Sequence, residues 1–250
     1  MAEVVRAVDV VLKREVVLKY PSDPTPHGEF AARFEREILV QAAVAHPFVL
    51  PLLDAGSTPE GQQWMALPYL PEKSVAHRLR HGARFSAREV RQLGMDLSEA
   101  LGALHQSGWL HRDVKPGNVL ICRDHFVLAD LGVAIEREPA GSRVTASGQV
   151  VGTAEYVTFE RSLGGSASEI EDVFAAVHVM YNCVTLRDAF SDFDGPRVAA
   201  LNRGPTDPRT YVPDIAADLR ALLMDGLHDR TKFPTARVLY DRVSRLAVGA

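Results

Sequence analysis

The first part of the chain carries short, β-branched apolar runs of the kind that form strands. We predict strands over Val4–Val10, Glu15–Tyr20, Val49–Leu53 and Trp64–Leu67. Between the second and third runs, apolar residues recur at helical spacing and predict a helix over Phe30–Val44, which His46 and Pro47 end. The pattern therefore indicates a small sheet with one main helix.

From Ser86 onward the apolar spacing changes to that of helices. Ser86 followed by Glu89 predicts a capping box, ahead of apolar residues at helical spacing. Two short apolar runs then predict strands over Val119–Cys122 and Phe126–Ala129, and later helices are predicted over Ile170–Val184, Ile215–Leu227 and Thr235–Leu246. The fold class is therefore α+β, a strand-rich part followed by a larger helical part, joined near Tyr69 to Lys73.

Composition and charge narrow the class of protein. The chain has 250 residues, 46% hydrophobic and 24% charged, as in ordinary globular domains. The net charge of −4 and the lack of a long basic run argue against nucleic acid as a partner. No apolar run reaches membrane-spanning length and no signal peptide opens the chain, so we expect a cytoplasmic protein without a membrane segment. Cys122 and Cys183 are expected to be buried free thiols.

Two polar segments carry the chemistry. The segment His111–Asn118 lies between a long helix and a short strand, and Asp130-Leu131-Gly132 follows the next strand. Phosphoryl transfer needs one carboxylate to orient a hydroxyl, and further oxygen ligands to hold Mg²⁺. Asp113 fits the first role, and Asn118 with Asp130 fits the second. Lys115 would neutralise charge that develops on the transferred phosphate.

These residues resemble the HRD-x-K-P-x-N loop and the DFG motif of protein kinases, with Leu131 in place of the usual Phe. The chain looks like the eukaryotic-like Ser/Thr kinases of bacteria. The resemblance implies a bilobal kinase fold, with a small antiparallel sheet lobe over 1–70 and a helical lobe over 71–250. It also implies ATP with Mg²⁺ or Mn²⁺, a protein substrate with a Ser or Thr acceptor, and possible self-association for phosphorylation between two copies.

The resemblance assigns further site residues. Lys19 ends a Val-Val-Leu-Lys strand like the family's V-A-I-K and would contact the α- and β-phosphates. Its expected helix partner is Glu37, with Glu35 as the competitor. Thr153 would bridge Asp113 and Lys115, and Asp172 would brace the backbone of the His111–Asn118 loop, although an Asp at the start of a helix can equally be a simple cap.

The adenine site is expected at the segment Trp64–Leu70. Leu67 would be the gatekeeper, the carbonyl of Pro68 would accept from adenine and the Leu70 N–H would donate to it. Apolar side chains would cover the two faces of the ring: Val4, Val17 and Leu120. Ordinary core packing remains the alternative for these three residues.

The chain departs from the family pattern at several positions. The Gly-rich loop matches only from Met1 to Val4, with Ala2 at the last glycine, so we expect the first strand and the phosphate-covering glycines to be absent. Phe159 stands at the Pro of A-P-E and Phe233 at the Arg that would pair with Glu160. A contact between the two phenyl rings is one possible compensation.

Two alternatives and a regulatory expectation remain. A pseudokinase that binds nucleotide weakly or acts as a scaffold is one alternative, and a small-molecule kinase of the aminoglycoside-phosphotransferase type is the other. Because Arg112 precedes Asp113, we expect it to bind a phosphorylated loop, with autophosphorylation on Thr145 first and Ser147 second.

Overall fold

Two strands rich in valine open the fold in the computed structural model. It describes residues 2–21, 29–136, 156, 167–192 and 196–247, except for the side chains of 29, 30 and 197. Strand β1 (Ala2–Asp9) pairs antiparallel with β2 (Arg14–Pro21). The Asp9 carboxylate accepts from the backbone N–H groups of Val11 and Leu12, each at 3.0 Å, and so closes the connecting turn.

The first sheet has four strands in the order β1-β2-β4-β3. Strand β4 (Gln63–Pro68) pairs antiparallel with both β2 and β3 (Asp54–Ser57). The side chain of Trp64 lies across Gly56, where a Cβ atom would come within 2.9 Å of the indole ring. Gly56 thus permits the close approach of β3 to β4.

The strand predicted over Val49–Leu53 was wrong, because β3 begins at Asp54. The start of this stretch bonds instead to the strand of the second part that ends at Leu128, whereas the Leu53 N–H donates to the Ala66 carbonyl of β4 at 2.9 Å. Leu50 N–H donates to the Leu128 carbonyl, and Leu128 N–H donates to the Phe48 carbonyl, both at 2.8 Å. Val49 and Leu50 are buried, so their apolar character reflects the junction between the two parts of the molecule rather than a sheet.

Helix α1 (Glu29–Ala43) packs against the sheet through one face. Phe34, Glu37, Val40 and Gln41 are buried on that face, whereas Leu39 is 60% exposed. The Gln41 amide donates to the Leu50 carbonyl, which ties the helix to the junction segment. Glu37 is thereby directed towards β2 and the interior.

The second part is built mainly of helices. Helix α3 (Ala87–Gln106) begins at the capping box that Ser86 and Glu89 form, as the sequence predicted. The remaining elements in chain order, with α2 preceding α3, are α2 (Val75–Arg80), β5 (Trp109–Leu110), β6 (Val119–Cys122), β7 (His125–Leu128), β8 (Ile135–Glu136), α4 (Glu169–Thr185), α5 (Arg197–Arg203), α6 (Ala217–His228) and α7 (Ala236–Val243). The hydrophobic pattern did not predict α2 or α5.

Helix α4 forms the centre of the helical core. Every residue from Asp172 to Thr185 is buried, and α4 contacts α3, α6 and α7. Phe233 is 1% exposed and its ring lies against Gly226, where a Cβ atom would approach it to 2.6 Å. The predicted contact with Phe159 lies outside the described residues, but Phe233 fills core volume between α6 and α4.

Two further sequence expectations can be compared with the structure. Cys183 is buried as expected, whereas Cys122 is only half-buried at the end of β6, so the expectation for Cys122 was wrong. Burial raises the pKa of the Cys183 thiol well above its ordinary value. Among the helices of the described ranges, none is both long and apolar enough to span a bilayer.

Candidate active site

An ion-paired lysine marks one wall of the site. Lys19 on β2 places its Nζ 2.5 Å from Glu37 Oε1 and 2.7 Å from Asp130 Oδ1. Glu35, the other acidic residue considered for this pairing, is exposed on the outer side of α1. One ammonium group therefore links the sheet, helix α1 and the segment that follows β7.

The protonation states of Lys19, Glu37 and Asp130 depend on one another and on their burial. Burial alone would lower the pKa of Lys19, but the carboxylates of Glu37 and Asp130 outweigh it and raise that pKa. Burial also disfavours the charged form of Asp130, yet the nearby Lys19 holds the pKa of that carboxyl below its ordinary value. Burial raises the pKa of Glu37 against the opposing effect of Lys19. Lys19 and Asp130 are thus charged at neutral pH.

Gly132 permits the close approach of these groups. A Cβ atom at this position would lie 3.0 Å from Glu37 Oε2 and 3.3 Å from Asp130 Oδ1. The Gly132 N–H also donates to the Asp130 carboxylate. Asp130 itself has φ 66°, in the left-handed region that side chains rarely occupy. The Asp-Leu-Gly sequence is therefore fitted to a tight turn next to Lys19.

The opposite wall is the loop His111–Asn118. Lys115 Nζ donates to Asp113 Oδ2 at 2.6 Å. The Asn118 amide nitrogen donates to Asp113 Oδ2 at 3.0 Å and to the Asp113 carbonyl at 2.9 Å. Asn118 lies in a 3-10 turn (Pro116–Asn118), whose last N–H returns to the Lys115 carbonyl. Two side chains predicted from the sequence, Lys115 and Asn118, therefore meet at the Asp113 carboxylate.

Buried Asp172 at the start of α4 holds this loop. Its two oxygens accept from the backbone N–H groups of His111 and Arg112 at 2.9 and 2.8 Å, and His105 Nε2 lies 2.8 Å from Oδ2. Burial opposes the ionised form, but these hydrogen bonds hold the pKa of Asp172 below its ordinary value. Asp172 therefore braces the loop backbone from below. Arg112, one of the two residues whose N–H groups donate to it, has a φ of 69°.

A cavity of about 780 Å³ lies between the two walls. The adenine-site residues predicted from the sequence all line it: Val4, Val17, Leu67, Pro68, Leu70 and Leu120. At its other end it reaches Lys19, Lys115, Asn118 and Asp130. Val4 is 62% exposed, so it forms a rim rather than a closed wall. The cavity is apolar at one end and charged at the other, as a nucleotide requires.

The donor set fits a magnesium ion. The Asn118 amide nitrogen is used by Asp113, which leaves the Asn118 oxygen for another partner. Lys19 bonds Oδ1 of Asp130, and both Asn118 and Asp130 line the cavity. When phosphates supply some of its oxygen ligands, Mg²⁺ takes only a few from the protein. One carboxylate oxygen and one amide oxygen meet that requirement. The described residues contain no cluster of three or more His, Cys, Asp or Glu suited to a metal.

Some sequence predictions fall on residues that the structure does not describe. Thr153, Glu160 and the candidate phosphorylation sites Thr145 and Ser147 lie outside the described ranges. Tyr156 is described, and its hydroxyl donates to Asn182 Oδ1 at 2.9 Å.

Three residues near the site were given no individual role by the sequence analysis. His105 is the side-chain partner of Asp172, and no local sequence pattern indicates this pairing. Arg33 lines the cavity one helical turn before Glu37, a spacing that could have indicated it. Tyr69 also lines the cavity, with the Arg6 guanidinium 4.5 Å from the centre of its ring.

Comparison with known proteins agrees with this geometry. A family model described as "Protein kinase domain" matches residues 1–213. The chain belongs to the protein kinase family, and its α+β architecture is the fold of that family.

Three bacterial relatives show where in the family the similarity lies. The chain is 30% identical over 235 residues to the serine/threonine-protein kinase PknB of Mycobacterium tuberculosis, covering 91% of this chain and 37% of the relative. It is 29% identical over 252 residues to a probable serine/threonine-protein kinase of Corynebacterium efficiens, covering 94% and 38%. A probable serine/threonine-protein kinase of Streptomyces coelicolor is 28% identical over 239 residues, covering 91% and 35%. The chain thus spans well under half the length of these relatives.

Proposed function

We propose that this chain is a Ser/Thr protein kinase catalytic domain that transfers the γ-phosphate of ATP to a protein hydroxyl. The observation that carries the proposal is the convergence on one cavity of the Lys19–Glu37–Asp130 trio and the Asp113–Lys115–Asn118 cluster. The proposal divides the chain into a sheet lobe over 1–70 and a helical lobe over 71–250, with the nucleotide between them.

In this proposal Asp113 is the group that orients the acceptor. In the proposed step the Ser or Thr oxygen bonds to the γ-phosphorus, the bond to the β–γ bridging oxygen breaks, and ADP leaves. The hydroxyl proton passes to the carboxylate of Asp113, which Lys115 and Asn118 hold in place at 2.6 and 3.0 Å. Lys115, within the same hydrogen-bonded unit, neutralises charge on the transferred group.

In this proposal Lys19 is the residue that binds the phosphates. It is drawn towards the cavity by Glu37 and is ionised, so it can bind the α- and β-phosphates. Asn118 and Asp130 would hold Mg²⁺, or Mn²⁺, which neutralises phosphate charge when it is bound.

The apolar end of the cavity suits adenine. Val17 and Leu120 would cover the ring, and Pro68 and Leu70 offer the backbone carbonyl and N–H that adenine can pair with. Leu67 is buried behind them and would limit the depth of the site. The proposal also assigns Thr153 to the contact between Asp113 and Lys115, and it assigns the chain to the cytoplasm, where ATP and free thiols occur.

The pseudokinase alternative predicts nucleotide binding without transfer. It would be favoured by loss of a charged group from the site, yet Lys19, Asp113, Asn118 and Asp130 all line or adjoin the cavity. The geometry therefore favours the active enzyme.

The test is incubation of the purified chain with γ-labelled Mg²⁺-ATP and a generic protein acceptor, followed by phosphoamino acid analysis. The proposal predicts phosphoserine or phosphothreonine on the acceptor or on the chain itself, including copies phosphorylating each other. Nucleotide binding without label transfer would contradict it and support the pseudokinase alternative.

A further inference from the structure

The side chain of Arg6 joins the outer strand of the sheet to the segment that follows β4. Its guanidinium carbon lies 4.5 Å from the centre of the Tyr69 ring, within the range of a cation–π contact. Tyr69 directly follows β4, is half-buried and lines the cavity. The contact therefore connects β1 with the wall of the cavity across the width of β2.

The register of the sheet places Arg6 on the face that is turned towards the cavity. Arg6 lies opposite Val17 on β2, and Val17 lies opposite Leu67 on β4. Directly opposite residues of paired strands share one face of a sheet, and both Val17 and Leu67 line the cavity. Arg6 is thus the outermost member of a row of three residues that crosses the sheet at the apolar end of the cavity.

A carboxylate holds the guanidinium group in this orientation. Arg6 Nε donates to Glu15 Oε1 at 2.9 Å, and Arg6 Nη2 donates to the same oxygen. Glu15 lies on β2, diagonal to Arg6 and on the same face. The two side chains are 59 and 47% exposed, so the ion pair by itself contributes little to stability. Its consequence is orientation, because it keeps the planar guanidinium group over the Tyr69 ring.

Strand β1 buries little apolar surface of its own. It lies at the edge of the four-stranded sheet, and three of its valines are largely exposed: Val4, Val5 and Val8. A strand that buries so little opens easily. Val4 nevertheless lines the cavity, where it would cover one face of the adenine ring. The Arg6–Tyr69 contact therefore matters to the cavity, since it fixes β1 to the segment Pro68–Leu70.

We propose that Arg6 is a positioning residue for the nucleotide: by holding β1 on Tyr69, it keeps Val4 over the base and so raises the affinity for ATP. The inference rests on the proposed kinase function and adds a residue that acts on binding alone. A cation–π contact at an exposed site changes an equilibrium constant by about two- to fivefold. We therefore expect about a threefold effect on affinity and none on the chemical step, because Asp113 and Lys115 lie on the opposite wall.

The experiment measures ATP affinity and turnover in the variant Arg6→Gln beside wild type. The Kd for Mg²⁺-ATP and the KM for ATP should both rise about threefold, while kcat and the melting temperature stay near those of wild type. A general loss of structure would instead lower kcat or the melting temperature. Arg6→Lys keeps the cation and should retain most of the affinity.

The matched control is Arg14→Gln. Arg14 belongs to the same hairpin, is 44% exposed and pairs with Asp9 at 3.3 Å. Its substitution removes the same charge from the same pair of strands and should leave the Kd of wild type unchanged. An equal rise in both variants would show that only the charge of the hairpin matters, and would overturn the proposal. An unchanged Kd in Arg6→Gln would do the same.

A double-mutant cycle tests whether Arg6 acts through Tyr69. Tyr69→Leu removes the ring and changes the affinity by itself, since Tyr69 lines the cavity. In that background Arg6→Gln should have no further effect on the Kd for Mg²⁺-ATP. If the loss of affinity persists without the ring, Arg6 acts by another route and the proposal is wrong.

The binding measurement separates this inference from the kinase assignment. Mg²⁺-ATP that binds to wild type without phosphoryl transfer contradicts the proposed function, and the Kd values still decide the role of Arg6. Transfer with the same Kd in wild type and Arg6→Gln overturns the role of Arg6 alone. A wild-type chain that binds no nucleotide would contradict both.

Discussion

The sheet region and helix α4 hold the two halves of the site by different means. Lys19 belongs to a sheet whose outer strand β1 exposes Val4, Val5 and Val8 by 62, 44 and 59%. The His111–Asn118 loop is fixed instead by Asp172 on α4, in a run of continuously buried residues. Local stability follows burial, so the half proposed to orient the hydroxyl is more firmly held than the half proposed to bind phosphates.

The comparison teaches that one group can be critical to chemistry and another to the scaffold. Asp130 is 46% exposed and lies in the cavity, whereas Asp172 is fully buried beneath the loop. Both are aspartates with hydrogen-bonded or ion-paired carboxylates. Substitutions should therefore separate activity from stability, and the same substitution should cost more in the helical core than in the outer strand.

A large effect on activity is expected from Asp130→Asn. The amide is a poor Mg²⁺ ligand and cannot pair with Lys19 as an anion, so we expect phosphoryl transfer to fall by about 10²–10³. The melting temperature should change little, because the side chain is half exposed. Asp124→Asn, an exposed residue of the β6–β7 turn, is the matched control and should retain the wild-type rate. Equal rates for both variants would contradict the metal assignment.

The next effect is on stability, from Asp172→Ala. Truncation leaves the buried N–H groups of His111 and Arg112 without their acceptor, and we expect a loss of about 3 kcal/mol in the free energy of unfolding. Asp172→Asn keeps one acceptor oxygen and should lose less. Denaturant unfolding measures both, and a loss below that of Asp172→Asn would show that the brace is unimportant.

The same residue gives a pH dependence with a defined sign. The pKa of Asp172 is lowered in the folded chain, so its stabilisation is complete above the unfolded-state pKa, about 3.9. It is lost as the pH falls from there through the lower folded-state pKa. Thermal melts across acidic pH should show a shallower decline for Asp172→Asn than for wild type. Identical slopes would indicate that other carboxylates govern the acid transition.

A packing effect of intermediate size is expected from Gly226→Ala. The new Cβ atom would come within 2.6 Å of the buried Phe233 ring, and overpacking of this kind costs about 1–3 kcal/mol. Gly102→Ala is the control, since the nearest atom to its Cβ, on Ala236, lies at 4.0 Å. That control should gain up to about 1 kcal/mol from helix propensity. Thermal melts that show no difference between the two variants would contradict the packing described for Phe233.

The smallest effect tests the two regions with one substitution. Val8→Thr on the exposed strand β1 should change stability by less than about 0.5 kcal/mol. Val177→Thr places a hydroxyl in the fully buried core of α4 and should cost about 1–2 kcal/mol. Similar losses at both positions, measured by denaturant unfolding, would remove the contrast between the sheet and the core.

The sequence predicted much of the fold because local signals agreed with the tertiary structure. Ser86 and Glu89 formed the predicted capping box, and α4 was anticipated from its apolar run to within one residue at each end. The Val49–Leu53 run was mistaken for a sheet strand, since its apolar residues are buried at the junction with β7 instead. Helix α2 has only six residues, too few for a hydrophobic period to emerge.

The site was predictable where a motif carried it and not where long-range packing did. Spacing and resemblance placed Asp113, Asn118 and Asp130 together, and favoured Glu37 over Glu35 as the partner of Lys19. The approach of His105 to Asp172 joins residues 67 positions apart and depends on how α3 packs on α4. No pattern local to either residue encodes such a contact.

The most direct test of the central claim is the Asp113→Asn variant, assayed beside wild type for phosphoryl transfer and for nucleotide binding. Asp113 is the acceptor to which Lys115 and Asn118 both donate. If Asp113 orients the hydroxyl, kcat should fall by about 10²–10⁴ while the Kd for Mg²⁺-ATP stays near that of wild type. A variant as active as wild type would contradict the assignment of Asp113, and with it the account of this site.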